Sequence, residues 1–271
     1  MITIDFARRT MRVASILIKI FVNLIPKSQL EIFEMRIQQT MGKGWGAQSI
    51  KTEPTCAVQL LRKYFPKIKE PVLFDVGANI GKWTEGALSE SDVKVICFEP
   101  SQSAFEILVK KFALNDRVSV VNIALGGSNR IANLYSDTPG SSLSSLSKRN
   151  LNHLDIEFNT MEIVEVKTLD NWVKDHKILP DILKLDVEGF EFEVLSGSTE
   201  TISEIKVIQL EFGGCNIDTR TFFADYWDLL KNLEFTFFRL TPRGLIHVSR
   251  YSESLETFTT TNYYAVNSRK L

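Results

Sequence analysis

The 271-residue chain has few of the features that most quickly assign a protein. Its cysteines, Cys56, Cys97 and Cys215, are odd in number, far apart and free of any C-x-x-C pair. Neither a disulfide framework nor a zinc site is indicated by that pattern. Such usage suits a reducing compartment, so a cytoplasmic location is expected. A formal net charge of −1 removes any global attraction to nucleic acid. No apolar run is long enough to span a bilayer core of about 30 Å. There is no internal repeat, no low-complexity segment and no G-x-G-x-x-G, so a dinucleotide pyrophosphate is not the first ligand to consider. What remains is an ordinary globular composition, 44% hydrophobic and 24% charged, with room for one sizeable domain plus extensions.

Residues 1–50 read as a helical, partly irregular extension, broken by MGKGWG at Met41–Gly46, and residues 51–271 as the main domain. Within the extension, Val13, Ile16, Leu17, Ile20 and Leu24 recur at helical spacing behind Arg8, Arg9 and Arg12. Two readings stand: an accessory helix packed on the domain, or a basic amphipathic helix giving peripheral membrane contact through residues 1–26.

The main domain is organised around VLFDVGANIG, Val72–Gly81. An apolar strand ends near an acidic residue, a glycine turn follows, and a helix begins. This is how an open α/β sheet builds a nucleotide-sized pocket. Strands then alternate with helices: Val93–Phe98, Val118–Ile123, Ile182–Val187 and Val207–Phe212 are apolar runs, with late candidates at Phe235–Leu240, Leu245–Ser249 and Tyr263–Val266. Near-continuous apolar strands imply a parallel sheet covered on both faces. The alternation pauses at Gly126–Val166. There Ile131–Tyr135 and Glu162–Lys167 are expected to flank a lid or substrate loop, Ser136–Leu146. Thr219 is the expected cap of a helix over Phe222–Leu233.

Carboxylates close several strands: Asp75, Glu99, Asp186 and Glu211 fall on one edge of such a sheet. Isolated buried carboxylates are costly, so the group points to a polar ligand, a cation or both. Glu99 ends the second strand, where an acid can accept both hydroxyls of a ribose. An adenosine-containing cofactor follows.

Taken in order, DVGANIG (Asp75–Gly81), FEP (Phe98–Pro100), NIALG (Asn122–Gly126), TLD (Thr168–Asp170), DILKLDVEGFEFEVLSG (Asp181–Gly197) and IQLEF (Ile208–Phe212) resemble an FkbM-type methyltransferase. The resemblance runs from about Val72 to Val266 and leaves residues 1–50 outside. It implies the Rossmann-like class I methyltransferase fold: α/β, with a mostly parallel seven-stranded sheet and helices on both faces. It also implies S-adenosyl-L-methionine as cofactor and a hydroxyl of a sugar, glycan or secondary metabolite as acceptor. Asp75, Gly77, Asn79 and Gly81 match the motif that lines the methionine part of the cofactor. Glu99 matches the ribose acid, while Ser101, Asn122 and Ala124 fall near the adenosine. Asp186 and Glu188 match the motif bordering cofactor and acceptor, and Glu211 is expected to face the acceptor.

Transfer to a hydroxyl requires removal of its proton, by a carboxylate or histidine within hydrogen-bond reach. A divalent cation held by Asp186 and Glu211 is the alternative route. His153 and His247 are candidate bases, whereas His176 reads as a surface residue. Ser141 and Ser142 are candidates to touch cofactor or acceptor, and Cys215 borders the same region. N- or carboxyl-methylation of a small molecule, or a binding protein without catalysis, are the other readings. The N-P-P-Y-type turn of nucleic-acid amino-methyltransferases is absent where LDVEGF stands, so no nucleic-acid partner is expected. No pattern in the chain sets an oligomeric state.

Overall fold

The computed structural model describes residues 15, 22–46, 52–90 and 92–271. Most of the basic amphipathic segment within residues 1–26 lies outside them. The first fully described helix, α1 (Lys27–Thr40), buries none of its residues. Among the described residues no helix is long and apolar enough to cross a membrane.

Pro54 opens α2 (Glu53–Tyr64), where its missing N–H removes nothing a helix needs. Pro71 then sets off β1 (Val72–Val76), followed by α3 (Lys82–Glu90), β2 (Lys94–Phe98), α4 (Gln102–Phe112) and β3 (Val118–Val121). A second, three-stranded sheet fills the pause in the alternation: β4 (Ala124–Leu125), β5 (Arg130–Ser136) and β6 (Thr160–Lys167), in the order β4-β6-β5. The main sheet resumes with α5 (Leu169–His176), β7 (Ile182–Leu185), α6 (Glu191–Ser196) and β8 (Val207–Phe212). It is completed by α7 (Cys215–Thr219), α8 (Phe223–Asn232), β9 (Phe235–Thr241), β10 (Gly244–Val248) and β11 (Thr261–Asn267).

The main sheet runs β10-β9-β11-β8-β7-β1-β2-β3. The five strands from β3 to β8 are parallel, whereas β11 pairs antiparallel with both β8 and β9. Seven of these strands form the expected Rossmann-like sheet. β10 adds an eighth at the edge, antiparallel to β9. The order in which strands are added switches sides between β1 and β7, which run parallel, and this opens a crevice at the carboxyl ends of these strands.

Alternate residues of each strand serve opposite cores. On one face Phe74 and Phe98 pack edge-on against Trp172 of α5, at centroid distances of 5.1 and 5.0 Å. Such pairs contribute about 0.5–1.5 kcal/mol each beyond their buried area, and they fix β1 against β2. On the other face Leu73 and Val95 meet Leu61, Trp83 and Tyr264. A row of polar groups crosses that second face. Cys97, Asp75, Lys184, Gln209 and Tyr264 are successive register partners from β2 to β11. Gln209 bonds to the indole of Trp83 at 3.1 Å and to Glu53 of α2 at 3.0 Å, so the helices over this face are hydrogen-bonded as well as packed.

Thr219 ends α7 rather than capping α8. The backbone N–H groups of Phe223 and Ala224 donate to Glu256 at 2.7 and 2.9 Å, and that of Phe222 to Asp225 at 2.8 Å. A carboxylate can accept two orphan donors at a helix start where a hydroxyl accepts one, so the distant Glu256 supplies the cap.

Candidate active site

Two cavities meet at the carboxyl edge of the sheet. The first is lined by Gly77, Asn79, Glu99, Ile123, Ala124, Leu134, Ser141, Ser142, Asp186, Glu188 and Phe190, among others, and spans about 540 Å³ with the open space at its mouth included. The second is lined by Gly44, Arg149, His153, Glu188, Glu211, Cys215, Asp218 and Thr260, among others, and spans about 1210 Å³ on the same measure. Glu188 belongs to both.

The glycine turn after β1 forms the floor of the first cavity. Gly77 has φ +75°, and a Cβ there would lie 1.8 Å from the carbonyl oxygen of Asp186. Only glycine lets the β1 and β7 ends come this close. Glu99, 5% exposed, is held by two backbone donors: Asn79 N–H to Oε2 at 2.7 Å and Ser101 N–H to Oε1 at 2.9 Å. Burial pushes its carboxyl up to about 7, against these two bonds and the Lys184 charge, which pull it down. Asn122 fixes the turn from below by donating to the carbonyls of Glu99 and Pro100 at 2.9 and 3.0 Å.

The loop after β5 closes the cavity. Tyr135 and Ser145 exchange backbone hydrogen bonds at 2.8 and 2.9 Å, and Asn79 Nδ2 donates to the Gly140 carbonyl at 3.1 Å. Ser141, Ser142, Ser144 and Ser145 thereby line the first cavity. Glu162 of β6 anchors the small sheet to α4, accepting from Ser101 Oγ at 2.7 Å and Gln102 N–H at 2.8 Å.

Of the residues singled out from the sequence, Gly77, Asn79, Glu99, Ala124, Asp186 and Glu188 line the first cavity, and Glu188 and Glu211 the second. Asp75, Gly81, Ser101 and Asn122 are not among the lining residues. Asp75 is fully buried on the pleat facing α3. Its Oδ1 lies 2.9 Å from Lys184 Nζ, and its Oδ2 accepts from Thr84 Oγ1 at 2.6 Å. Gly81 faces Leu108 and Phe112 of α4. These residues shape the cavity from behind.

Lys184 is the principal residue that sequence reasoning missed. Buried within β7, it donates to the Gly77 carbonyl at 2.9 Å and pairs with Asp75, while Asp186 Oδ2 is 3.5 Å away. The surrounding carboxylates hold its ammonium well above the usual lysine range despite burial. A lysine inside the strand ILKL is itself a signal, because a buried cation requires a partner. Glu191 was missed too: it accepts from the N–H groups of Val187 and Gly189 at 2.9 and 3.1 Å, fixing the turn that carries Glu188.

Glu188 sits at φ +52°, a left-handed position that the turn imposes. Ser145 Oγ donates to its carbonyl at 2.8 Å, and Arg149 Nη1 donates to its Oε2. Arg149 Nε also pairs with Asp218 Oδ2 at 3.3 Å. Burial, then the charge of Asp186, pushes the Glu188 carboxyl up to about 8, against the pull of Arg149. Burial and the neighbouring carboxylates Asp186 and Glu188 likewise raise Glu211 well above its ordinary value. Burial raises the Cys215 thiol, so it is not a thiolate nucleophile.

His153 lines the second cavity. His176 stacks on Trp172 at a centroid distance of 4.1 Å, and His247 lies on the exposed edge strand β10. Asp186 and Glu211 line different cavities. Among the described residues no three His, Cys, Asp or Glu side chains come together to hold a metal ion.

Residues ahead of the main domain also reach the site. Gly46 N–H donates to the Thr260 carbonyl at 3.2 Å, Lys43 Nζ donates to the Ser254 carbonyl, and Gly44 lines the second cavity. A Cβ on Gly46 would lie 2.0 Å from Thr260 Cγ2 and 3.4 Å from Glu211 Oε2, so the loop lies directly against Glu211.

The first cavity fits S-adenosylmethionine. Each Glu99 oxygen accepts a single backbone N–H, leaving lone pairs for a vicinal diol. Ile123, Leu134 and Phe190 offer apolar walls, and the Gly77 turn brings backbone rather than side chain to the ligand.

Comparison with known proteins agrees. The 2-O-methyltransferase NoeI of Sinorhizobium fredii is 26% identical over 173 residues, covering 59% of this chain and 71% of that protein. The hexuronic acid methyltransferase AglP of Haloferax volcanii is 26% identical over 148 residues, covering 53% and 56%. The methyltransferase sdnD of Sordaria araneosa is 29% identical over 160 residues, covering 48% and 61%. The chain thus spans between 56% and 71% of the length of these relatives. The Methyltransferase FkbM domain matches residues 75–237, more than half of the chain. With the sheet order, the glycine turn and the Glu99 cradle, that match identifies the chain as a member of the FkbM family of S-adenosylmethionine-dependent methyltransferases.

Proposed function

We propose that the enzyme transfers the methyl group to a hydroxyl of a sugar or glycan, with cofactor in the first cavity and acceptor in the second. The observation that carries this reading is the position of Glu188, the one residue among those described that is shared by the linings of both cavities. The names of two relatives, a 2-O-methyltransferase and a hexuronic acid methyltransferase, support the acceptor class.

When bound, S-adenosylmethionine supplies an activated methyl group on a sulfonium whose departure leaves a neutral thioether. Glu99 is assigned to the ribose hydroxyls, and the Gly77–Asn79 turn to the amino-acid end. Ser141 and Ser142 shield the cavity from water. In-line displacement depends on alignment, which these contacts provide. The acceptor hydroxyl must lose a proton as it attacks. Glu188 is placed to take it, and an affinity for protons near that of a group with pKa about 8 makes it a stronger base than an ordinary carboxylate. Arg149 and the Ser145 hydroxyl orient Glu188. Glu211 is assigned to acceptor hydroxyls deeper in the second cavity.

The test is transfer from methyl-labelled S-adenosylmethionine to a panel of glycosides, followed by mild alkaline treatment of the product. A base-stable methyl ether is expected. A base-labile ester, or methylation confined to amines, overturns the hydroxyl assignment.

A further inference from the structure

We infer that the acceptor is an uncharged glycosyl unit, and that the second cavity discriminates against sugars carrying a carboxylate or phosphate. This rests on the sugar reading above and narrows it, setting this chain apart in acceptor charge from the hexuronic acid methyltransferase it is similar to. The charged groups lining the cavity come from four elements. Arg149 stands in the loop between β5 and β6, Glu188 in the turn after β7, Glu211 at the end of β8 and Asp218 in α7.

Among the described residues lining the cavity, Arg149 carries the only fixed positive charge. It is 8% exposed at its side chain and is gripped on both sides, by Glu188 at Nη1 and Asp218 at Nε. An anionic substituent reaching that guanidinium must displace the two carboxyl groups that already occupy its Nη1 and Nε positions. Elsewhere in the cavity the same anion finds no counter-charge among the described residues, because the remaining acid, Glu211, offers a carboxyl that burial and its neighbours hold toward the protonated form. Lys43, next to the cavity-lining Gly44, commits its ammonium to the Ser254 carbonyl.

The remaining lining suits a neutral pyranose. Leu143, Leu151 and Phe258 offer apolar surface for the C–H face of a ring, while Asn150, Thr259 and Thr260 can pair with hydroxyls. A desolvated anion left without a counter-charge loses affinity, and such a loss sets specificity as effectively as an attraction does. One such unpaired charge at a partly exposed site changes relative affinity by on the order of tenfold.

The experiment compares kcat/KM at saturating S-adenosylmethionine for matched pairs: neutral pyranosides against the corresponding 6-uronates and 6-phosphates. Calorimetry with S-adenosylmethionine reports on folding and the cofactor site in every variant. The neutral member of each accepted pair is expected to be used at least about tenfold better. Asp218→Asn releases one side of Arg149 and is expected to move the neutral-to-uronate ratio about tenfold toward the uronate. Preference for the charged member, or parity, overturns this inference while leaving the sugar reading intact. A ratio unmoved by Asp218→Asn overturns the assignment of discrimination to this cluster. Cofactor binding without transfer to any glycoside overturns the sugar reading and this inference together.

Discussion

Lys184 and Asp75 face each other across the β1–β7 register, with Nζ and Oδ1 2.9 Å apart and both side chains buried. Neither group lines either of the two site cavities, yet the same ammonium holds the Gly77 carbonyl at 2.9 Å. The pair therefore connects sheet stability to the shape of the cofactor turn. Replacing Lys184 by Met leaves Asp75 charged and unpaired, at an expected cost of about 3–5 kcal/mol. The double replacement Lys184→Met with Asp75→Asn should recover most of that loss in stability but not the cofactor affinity. Urea denaturation together with calorimetric titration checks both. Recovery of affinity in the double variant would show that the ammonium has no part in shaping the turn.

Glu99→Ala is expected to weaken S-adenosylmethionine binding about 10- to 100-fold, the range for hydrogen bonds to a charged group. The pH dependence follows from the carboxyl being held near 7. Ribose hydroxyls donate to the ionised form, so affinity should fall as pH drops below about 7, by up to tenfold per unit. The sign is opposite for the stability of the cofactor-free fold. A carboxyl raised from its ordinary 4.5 binds its proton more tightly when folded, so its contribution is full below about 4.5 and is lost as pH rises through about 7. Titrations at pH 5.5, 6.5 and 7.5 test the first half, and thermal melts of the cofactor-free enzyme the second.

For Glu188→Gln, kcat is expected to fall about 10²- to 10⁴-fold, with the dissociation constant of S-adenosylmethionine little changed. In the wild type kcat should rise with pH through about 8 as the carboxyl ionises, and that limb should vanish in the variant. A pH–rate profile retaining the limb would assign the base elsewhere, with His153 the next candidate.

Gly46→Val places a side chain where Thr260 Cγ2 already lies, 2.0 Å from the new Cβ. The loop must shift, at a cost of about 1–3 kcal/mol. Acceptor KM should rise about tenfold while cofactor affinity stays within about twofold. An equal loss of both would mean that the shift reaches the first cavity.

The sequence made the alternation of strands and helices legible, and with it the crevice, because parallel strands buried on both faces leave uninterrupted apolar runs. Gly77 and Glu99 were legible for the same reason, since each follows such a run at a fixed offset. The strand-end carboxylates, however, look alike in sequence and differ in space. Asp75 lies within β1, on a pleat that faces α3, whereas Asp186 and Glu188 lie beyond the last residue of β7. A period of two decides the face, and only the register shows that Lys184 waits opposite. Arg149 and the Met41–Gly46 loop were hidden differently. Both stand in irregular backbone, and their partners, Asp218 and Thr260, are remote in sequence and brought near only by tertiary packing.

The place of Glu188 between the two cavities has a thermodynamic consequence. With the cofactor in one cavity and the acceptor in the other, as proposed, one proton on one carboxyl is counted in the binding polynomials of both ligands. Whichever ligand arrives first resets that proton's occupancy for the other, and reciprocity requires the two effects to be equal in size. Donor and acceptor affinities in this enzyme are therefore not separate constants but a linked pair, with pH as the third variable.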